Sequence, residues 1–138
     1  MPRFVLLLHE APDDRPRPTH CDLMLEAGGL LQTWVLSELP HDWQDLKGLD
    51  IADSNLVAAE QLSDHRLAYL DYEGPVSGDR GAVKRLDFGS YVAREQTPGR
   101  WLIDLAGQAI RGEIELQRTA TDASQWQLSF RPPAPLAV

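Results

Sequence analysis

A succession of short runs in which apolar and polar residues alternate restricts the fold of this sequence more than any other feature. The run THCDLMLE (residues 19–26) is followed by a glycine pair and then by LLQTWVL (30–36). Because successive side chains of a strand point to opposite faces, the leucines of the first run share one face, and His20 and Asp22 share the other. Two such runs about a glycine pair predict a β-hairpin.

Comparable short runs fill most of the remaining chain, and glycine or proline separates them. HDWQDLKG (41–48) suggests a helical turn, while LVAAEQL (56–62) fits either a helix or a strand. About seven or eight short strands with so little helix predict a mostly β fold, either an antiparallel barrel or a sandwich. The further predicted strands are RFVLLLH (3–9), AVKRLDF (82–88), SYVAREQ (90–96), GRWLIDL (99–105), IRGEIELQR (110–118) and WQLSF (126–130).

Composition limits the kinds of partner and compartment. The 138 residues suit one domain, predicted over residues 1–131 and followed by a proline-rich tail at 132–138. A formal net charge of -8 argues against a protein that coats nucleic acid through bulk charge, so a phosphate-bearing partner would need a local site. A lone cysteine, Cys21, fits a reducing compartment, and the apolar run from Phe4 to Leu8 is too short for a signal peptide or a membrane span. We therefore expect a cytoplasmic protein with no membrane partner.

Two of the four histidines stand at the ends of neighbouring predicted strands. His9 ends the first run and His20 begins the second, so a hairpin brings them together, with Asp22 on the same strand face as His20. Two imidazole nitrogens and one carboxylate suit a divalent transition metal that keeps open positions for water and substrate. The alternative is a polar edge of a half-buried sheet. The same alternation points Cys21 away from these residues, as a small buried hydrophobe.

A second candidate set lies in the segment SDHRLAYLDYEG (63–74). His65 and Tyr69 are four residues apart, a spacing that aligns side chains on one helical turn. Such a pair would hydrogen-bond an anion, and the alternative is a structural histidine beside a packed tyrosine. The segment GPVSGDRG (74–81) lacks the lysine and the spacing of a phosphate-binding P-loop.

Taken together, these motifs resemble the 3'-phosphoesterase domain of bacterial DNA ligase D, a multi-domain enzyme of end-joining repair. The resemblance covers the chain from Phe4 to about Arg131, and three separated motifs occur in the expected order. The segments that carry it are FVLLLHEA (4–11), HCDLMLE (20–26), GGLLQTWVLSELP (28–40), DHRLAYLDYEG (64–74), GRWLIDLAGQAIRGEIELQR (99–118) and WQLSF (126–130).

This resemblance implies a compact antiparallel β-barrel with a cleft and a divalent metal, usually manganese. It also implies a hydrolase of DNA repair that removes phosphates and nucleosides from the 3' ends of nucleic acids, with end-joining repair proteins as further partners. The matching site residues are His9, His20 and Asp22 for the metal, His65 and Tyr69 for the phosphate, and Glu26 either as a support for a ligand histidine or as a carboxylate on the cleft rim.

Two departures from the family pattern concern charge. Met24 stands where the family has an arginine, and Glu38 replaces a lysine. Both remove phosphate affinity and favour the alternative of a catalytically impaired relative that acts as a metal-stabilised binding or protein-interaction module. We expect the loop EAPDDRPRPT (10–19) to supply the missing charge through Arg15 and Arg17, since its prolines restrict the backbone and an arginine fork suits a phosphate. The alternative is a solvent-exposed loop whose arginines offset the charges of Asp13 and Asp14.

Overall fold

The structure is a computed structural model that describes residues 1–120, 122 and 124–134. Within this part the chain forms nine strands and two short 3₁₀ turns, which confirms the predicted mostly β fold. Residues 132–134 of the predicted tail follow the last strand without regular structure, and residues 135–138 lie outside the described part. The strands are β1 (Arg3–Glu10), β2 (His20–Ala27), β3 (Leu30–Leu36), β4 (Leu56–His65), β5 (Gly74–Pro75), β6 (Ala82–Thr97), β7 (Arg100–Gly107), β8 (Arg111–Arg118) and β9 (Gln125–Arg131), and the 3₁₀ turns are His41–Trp43 and Leu67–Leu70.

Eight of the nine described strands form a closed barrel. Neighbouring strands pair in the order β1-β2-β3-β4-β9-β8-β7-β6, and β6 pairs back onto β1, so the sheet closes on itself. Each of these pairings is antiparallel. Closure decides between the two predicted architectures in favour of the barrel. The two-residue β5 extends the sheet beside the first two residues of β6.

Alternate residues of the barrel strands fill its interior with apolar side chains. Trp34 is fully buried, and its ring centroid lies 5.4 Å from that of Trp101 and 5.5 Å from that of Trp126, both in edge-on contact. The leucines of β2 point into this core, as predicted. Cys21 is buried with them, and burial raises the pKa of its thiol to about 12, so the cysteine is not a nucleophile at neutral pH.

The opposite face of β1 is also buried, which explains why FVLLL is a continuous apolar run rather than an alternating one. Val5 and Leu7 of β1 and Met24 of β2 point outward and pack with Leu70. We call residues 67–70, which include Leu70, the cover turn. Farther along the same outer face, the apolar side chains give way to the predicted metal ligands.

β6 runs without interruption from Ala82 to Thr97, although the sequence predicted two strands separated by Gly89. Gly89 pairs with Gly107 of β7, and a Cβ at position 89 would collide with the carbonyl oxygen of Ala106. The glycine therefore permits the close approach of two strands and does not end one.

LVAAEQL lies in a strand, β4, and the predicted helical turn is the one at His41–Trp43. No helix in the described part of the chain is long and apolar enough to cross a membrane.

The turn between β7 and β8 is fixed by the buried carboxylate of Asp87. Its Oδ1 accepts hydrogen bonds from the backbone N–H groups of Gln108 and Ala109, at 2.8 and 3.0 Å. Its Oδ2 accepts one from the N–H of Ile110 at 2.8 Å. Both oxygens of this carboxylate are therefore satisfied by the main chain.

Candidate metal centre

The β1–β2 hairpin brings the predicted metal ligands together at one end of the outer face. His9 is the register partner of His20, and Leu7 is the register partner of Asp22, so the three ligand side chains point to the same side. The two imidazole centroids are 4.8 Å apart. One ligand atom from each of the three residues lies within 4.8 Å of the other two. Two nitrogens and one carboxylate oxygen are thus close enough to share a single metal ion.

Main-chain carbonyls fix which nitrogen of each imidazole carries a proton. His9 Nε2 lies 2.7 Å from the carbonyl oxygen of Arg80, and His20 Nδ1 lies 2.8 Å from that of Pro18. Because a carbonyl only accepts, these nitrogens donate, and in each neutral ring the other nitrogen carries the lone pair. Those other nitrogens face Asp22, with His9 Nδ1 at 3.9 Å and His20 Nε2 at 3.4 Å from its oxygens. Metal-bound histidines commonly have their second nitrogen anchored in this way.

The carboxylate of Asp22 lacks the partners that a buried carboxylate normally has. Asp22 is only 4% exposed, yet its Oδ1 has no hydrogen-bond partner among the described residues. Buried polar atoms are usually paired, so an orphaned oxygen beside two imidazole nitrogens is suited to a cation. Burial is the largest single influence on the pKa of His20 and lowers it, but the nearby Asp22 carboxylate and the Pro18 carbonyl together outweigh burial, so this pKa lies above its ordinary value.

The ligand group lines a cleft of about 340 Å³ that two loops border. We call residues 11–19 the first loop and residues 76–81 the second loop. His65, the last residue of β4, lines the same cleft. Its Nδ1 lies 3.0 Å from the carbonyl oxygen of Ser63 and therefore donates to it, which leaves Nε2 for a ligand. The cleft thus combines a candidate metal-binding group with a third imidazole.

Three arginines line this cleft, two of which the sequence predicted. Arg15 and Arg17 come from the first loop, and Arg80 comes from the second. Arg15 donates from Nε to the carbonyl of Asp79 at 3.0 Å and from Nη2 to the carbonyl of Gly78 at 2.8 Å. It therefore ties the first loop to the loop whose main chain orients one of the ligand imidazoles.

The second predicted arginine is held by a carboxylate. Arg17 Nη1 lies 3.0 Å from Glu60 Oε1, and this contact lowers the pKa of the Glu60 carboxyl. Arg17 also lines the cleft. Glu60 thus fixes the position of Arg17 and also offsets part of its charge toward an anion in the cleft.

His65 and Tyr69 do not share one helical turn, in contrast to the prediction from their spacing. β4 continues as far as His65, which pairs with Leu31 of β3, and Tyr69 lies in the cover turn. Their rings still meet edge-on, with centroids 5.7 Å apart. His65 lines the cleft, whereas Tyr69 lines an adjoining groove.

Two singled-out positions on β2 lie away from the ligand group. Glu26 is near the other end of the strand, where its Oε1 accepts a hydrogen bond from the backbone N–H of Arg3 at 2.9 Å, and the ligand histidines are anchored by carbonyls instead. Met24 is 1% exposed and packs with Leu70 in the outer apolar cluster. A cation at position 24 would be buried among apolar side chains, so positive charge enters the cleft from the loops.

Arg80, which lines the cleft, and Glu60, which holds Arg17, were not predicted from the sequence. Arg80 lies near His9 because β6 pairs with β1, with Val83 as the register partner of His9. Glu60 lies next to the first loop because β4 pairs with β3. Strand alternation is a local pattern and carries no information about which distant strands pair. A charged residue in a glycine-containing loop is the one local signal that points to Arg80.

No protein-family model matches this chain, and no curated protein matches it in sequence. The function of the site is therefore inferred from its geometry and chemistry.

Proposed function

We propose that this protein is a metal-dependent phosphoesterase acting on nucleic-acid 3' ends, the activity that its resemblance to the 3'-phosphoesterase domain of bacterial DNA ligase D implies. The observation that carries the proposal is a pair of histidines whose N–H groups are anchored by carbonyls while their other nitrogens face the orphaned Oδ1 of Asp22. Two nitrogens and one carboxylate leave coordination positions open, as a catalytic ion requires. We propose manganese as the ion and DNA repair in the cytoplasm as the setting.

The site residues divide into metal ligands and phosphate contacts. His9, His20 and Asp22 would hold the ion, and a divalent ion in such a site supplies Lewis-acid charge and acidifies water. His65, protonated on both nitrogens and with its Nδ1–H held by the Ser63 carbonyl, would donate a proton or hydrogen bond from Nε2–H to the phosphate or to the leaving oxygen. Tyr69, in edge-on contact with the His65 ring, would orient it.

The arginines of the two loops would bind the phosphate oxygens. Arg15, Arg17 and Arg80 all line the cleft, and hydrogen bonds from guanidinium groups to phosphate are charge-assisted. The loss of one donor that stabilises transition-state charge typically costs about 10²–10³ in rate. A chain with a net charge of -8 must hold a phosphate through such a local cluster.

A metal-stabilised binding or protein-interaction module without catalysis is the second candidate. The observations that favour it are the ion pair between Arg17 and Glu60, which offsets a cleft cation, and the burial of Met24, which provides none. This candidate shares the metal site with the first and differs from it only in the absence of hydrolysis.

The decisive experiment measures both hydrolysis and manganese affinity in two histidine variants. Wild-type protein with manganese should release phosphate from a 3'-phosphorylated primer–template. His65→Ala should lower the rate by about 10²–10⁴, the usual contribution of a general acid or base. Its affinity for manganese, measured by calorimetry, should stay unchanged because His65 is outside the ligand group. His41→Ala is the matched control, since His41 lies in the first 3₁₀ turn.

Two results would contradict this assignment. Equal loss of hydrolysis and manganese affinity in His65→Ala would make His65 a metal ligand. Wild-type protein that binds manganese tightly and hydrolyses no 3'-phosphate or 3'-nucleoside ester would support the binding module.

A further inference from the structure

An aromatic groove adjoins the cleft on the side of His65. The groove has a volume of about 280 Å³. Three rings run in series from the cleft into it. The ring centroid of His65 is 5.7 Å from that of Tyr69, and the centroid of Tyr69 is 6.0 Å from that of Tyr72, in edge-on contacts. The residues that line the groove are Arg66, Ala68, Tyr69, Tyr72, Pro75, Val76 and Ser77.

Tyr72 presents a fixed and accessible ring in this groove. Tyr72 is 39% exposed, and its hydroxyl donates to the carbonyl of Pro75. The edge-on contact with Tyr69 holds the ring from another direction. A ring held at both ends loses little side-chain entropy when a flat ligand stacks on it.

The charges around the groove suit a nucleotide rather than an apolar peptide. Arg66 is exposed on its lining, and His65 and Arg80 lie on the wall of the adjoining cleft. A nucleotide with its phosphate in the cleft would bring its base toward the rings. Because the chain as a whole carries a charge of -8, attraction to the nucleic-acid backbone is weak, and an uncharged contact such as stacking gains importance.

We infer that the groove holds the terminal nucleobase of a 3' end, stacked on Tyr72, so that the substrate is a single-stranded or frayed 3' end rather than a blunt duplex. This inference rests on the proposed phosphoesterase function. A base inside a duplex is stacked and paired on its own strands and cannot enter the groove without leaving them. Stacking is tolerant of sequence, so the enzyme would accept all four terminal bases.

The test measures binding of metal-free protein, in the presence of a chelator, to a labelled single-stranded oligonucleotide with a 3'-phosphate. Fluorescence anisotropy should show that Tyr72→Ala weakens binding by about 5- to 150-fold, the range that one stacked base contributes. Tyr72→Phe, which keeps the ring and loses the bond to the Pro75 carbonyl, should bind within about twofold of wild type. Thermal unfolding of both variants checks that they fold.

A second measurement needs no variant. An oligonucleotide that lacks the terminal base should bind wild-type protein as weakly as the complete oligonucleotide binds Tyr72→Ala. Binding of the abasic oligonucleotide to Tyr72→Ala should be little weaker than either, because the two changes remove the same contact. The logarithm of affinity should fall with the logarithm of salt concentration with a slope no steeper than about -1.4, the value for two phosphate contacts on a single strand. Equal binding of abasic and complete oligonucleotides by wild type would overturn the inference, as would the absence of any binding.

Hydrolysis assays separate this inference from the proposed function. If base-dependent binding is found and no ester is hydrolysed, the phosphoesterase proposal fails and the groove remains a nucleobase site. If single-stranded and blunt 3'-phosphates are hydrolysed at equal rates and the terminal base contributes nothing to binding, the phosphoesterase proposal stands and the groove inference fails.

Discussion

Two buried aspartates at different places in the barrel have opposite surroundings. Asp87 is 1% exposed, and its oxygens accept three hydrogen bonds from the backbone of the β7–β8 turn. Asp22 is 4% exposed, and its Oδ1 has no hydrogen-bond partner in the described part of the chain. Both side chains lie on barrel strands and are removed from water to a similar extent. Burial alone therefore does not distinguish a structural carboxylate from a functional one.

The difference lies in the source of the positive charge that each carboxylate needs. The turn around Asp87 supplies N–H donors, so that carboxylate is compensated within the fold. The surroundings of Asp22 supply two imidazoles that are acceptors when neutral. A carboxylate placed beside acceptors is suited to an ion from solution, which is why we propose that the site holds a metal.

The same substitution at both aspartates tests this comparison, and the larger effect is expected at Asp87. In Asp87→Asn, an amide N–H₂ replaces one acceptor oxygen and leaves a backbone N–H of the turn unpaired, which should reduce the free energy of unfolding by about 2–4 kcal/mol. Urea denaturation of the metal-free protein measures this change in the free energy of unfolding. Affinity of the folded variant for manganese should be unchanged, and a stability equal to that of wild type would contradict the structural role.

Asp22→Asn should change manganese affinity, the quantity that Asp87→Asn leaves unchanged. Loss of a charged ligand should lower the affinity for manganese by at least about 100-fold, more than the change of an outer partner costs. The increase in melting temperature that manganese produces in wild type should disappear. Asp64→Asn is the matched control, because Asp64 is exposed on β4. Retained manganese affinity in Asp22→Asn would show that the orphaned carboxylate holds no ion.

Manganese affinity and the stability of the metal-free protein should depend on pH in opposite directions. Manganese affinity should fall as the pH drops, by about tenfold per pH unit for each imidazole that must lose a proton, because only a neutral ring ligates. Since the pKa of His20 is raised, this loss should begin at a higher pH than it would for an unperturbed imidazole. Calorimetry between about pH 5 and pH 8 measures it.

The metal-free protein should show the opposite trend. A histidine with a raised pKa in the folded state stabilises the fold below its unfolded pKa and loses that contribution as the pH rises through the folded value. Thermal unfolding in chelator, with His20→Gln as the control that lacks the titrating group, measures this contribution. A pH dependence that is the same in both proteins would contradict the coupling between His20 and Asp22.

The smallest expected effects separate the two arginines of the first loop. Arg15→Ala removes the bonds that tie the first loop to the second, and it should weaken manganese binding by about two- to fivefold, because the second loop orients His9. Arg17→Ala removes a positive charge near the site without disturbing that loop, and it should leave manganese affinity unchanged or slightly tighter. Equal weakening in both variants would refute the distinction.

The hairpin explains which parts of the site could be predicted from sequence. His9, His20 and Asp22 are brought together by two neighbouring strands, and alternation within those strands decides the face on which they lie. Both rules act over short distances along the chain, so they can be applied to the sequence directly.

Features that depend on distant pairing could not be predicted in the same way. Arg80 approaches His9 because β6 closes the barrel onto β1, and nothing near either residue encodes that pairing. The sequence predicts that Gly89 separates two strands. In the structure, glycine is required at this position because β6 and β7 approach each other closely, and the chain does not reverse there. The position of Tyr69 also depends on the pairing of β4 with β3, which extends that strand to His65.

Anchoring of both ligand histidines by main-chain carbonyls has a consequence for how such a site can evolve. The carbonyls belong to Pro18 and Arg80, and any residue at those two positions would offer the same oxygen if the backbone path were kept. Mutational drift in the loops could therefore replace most side chains around the candidate metal site without altering how the two histidines are held. Distant relatives of this barrel are better sought by the pattern of a histidine closing one strand and a His-x-Asp opening the next than by similarity of the intervening loop.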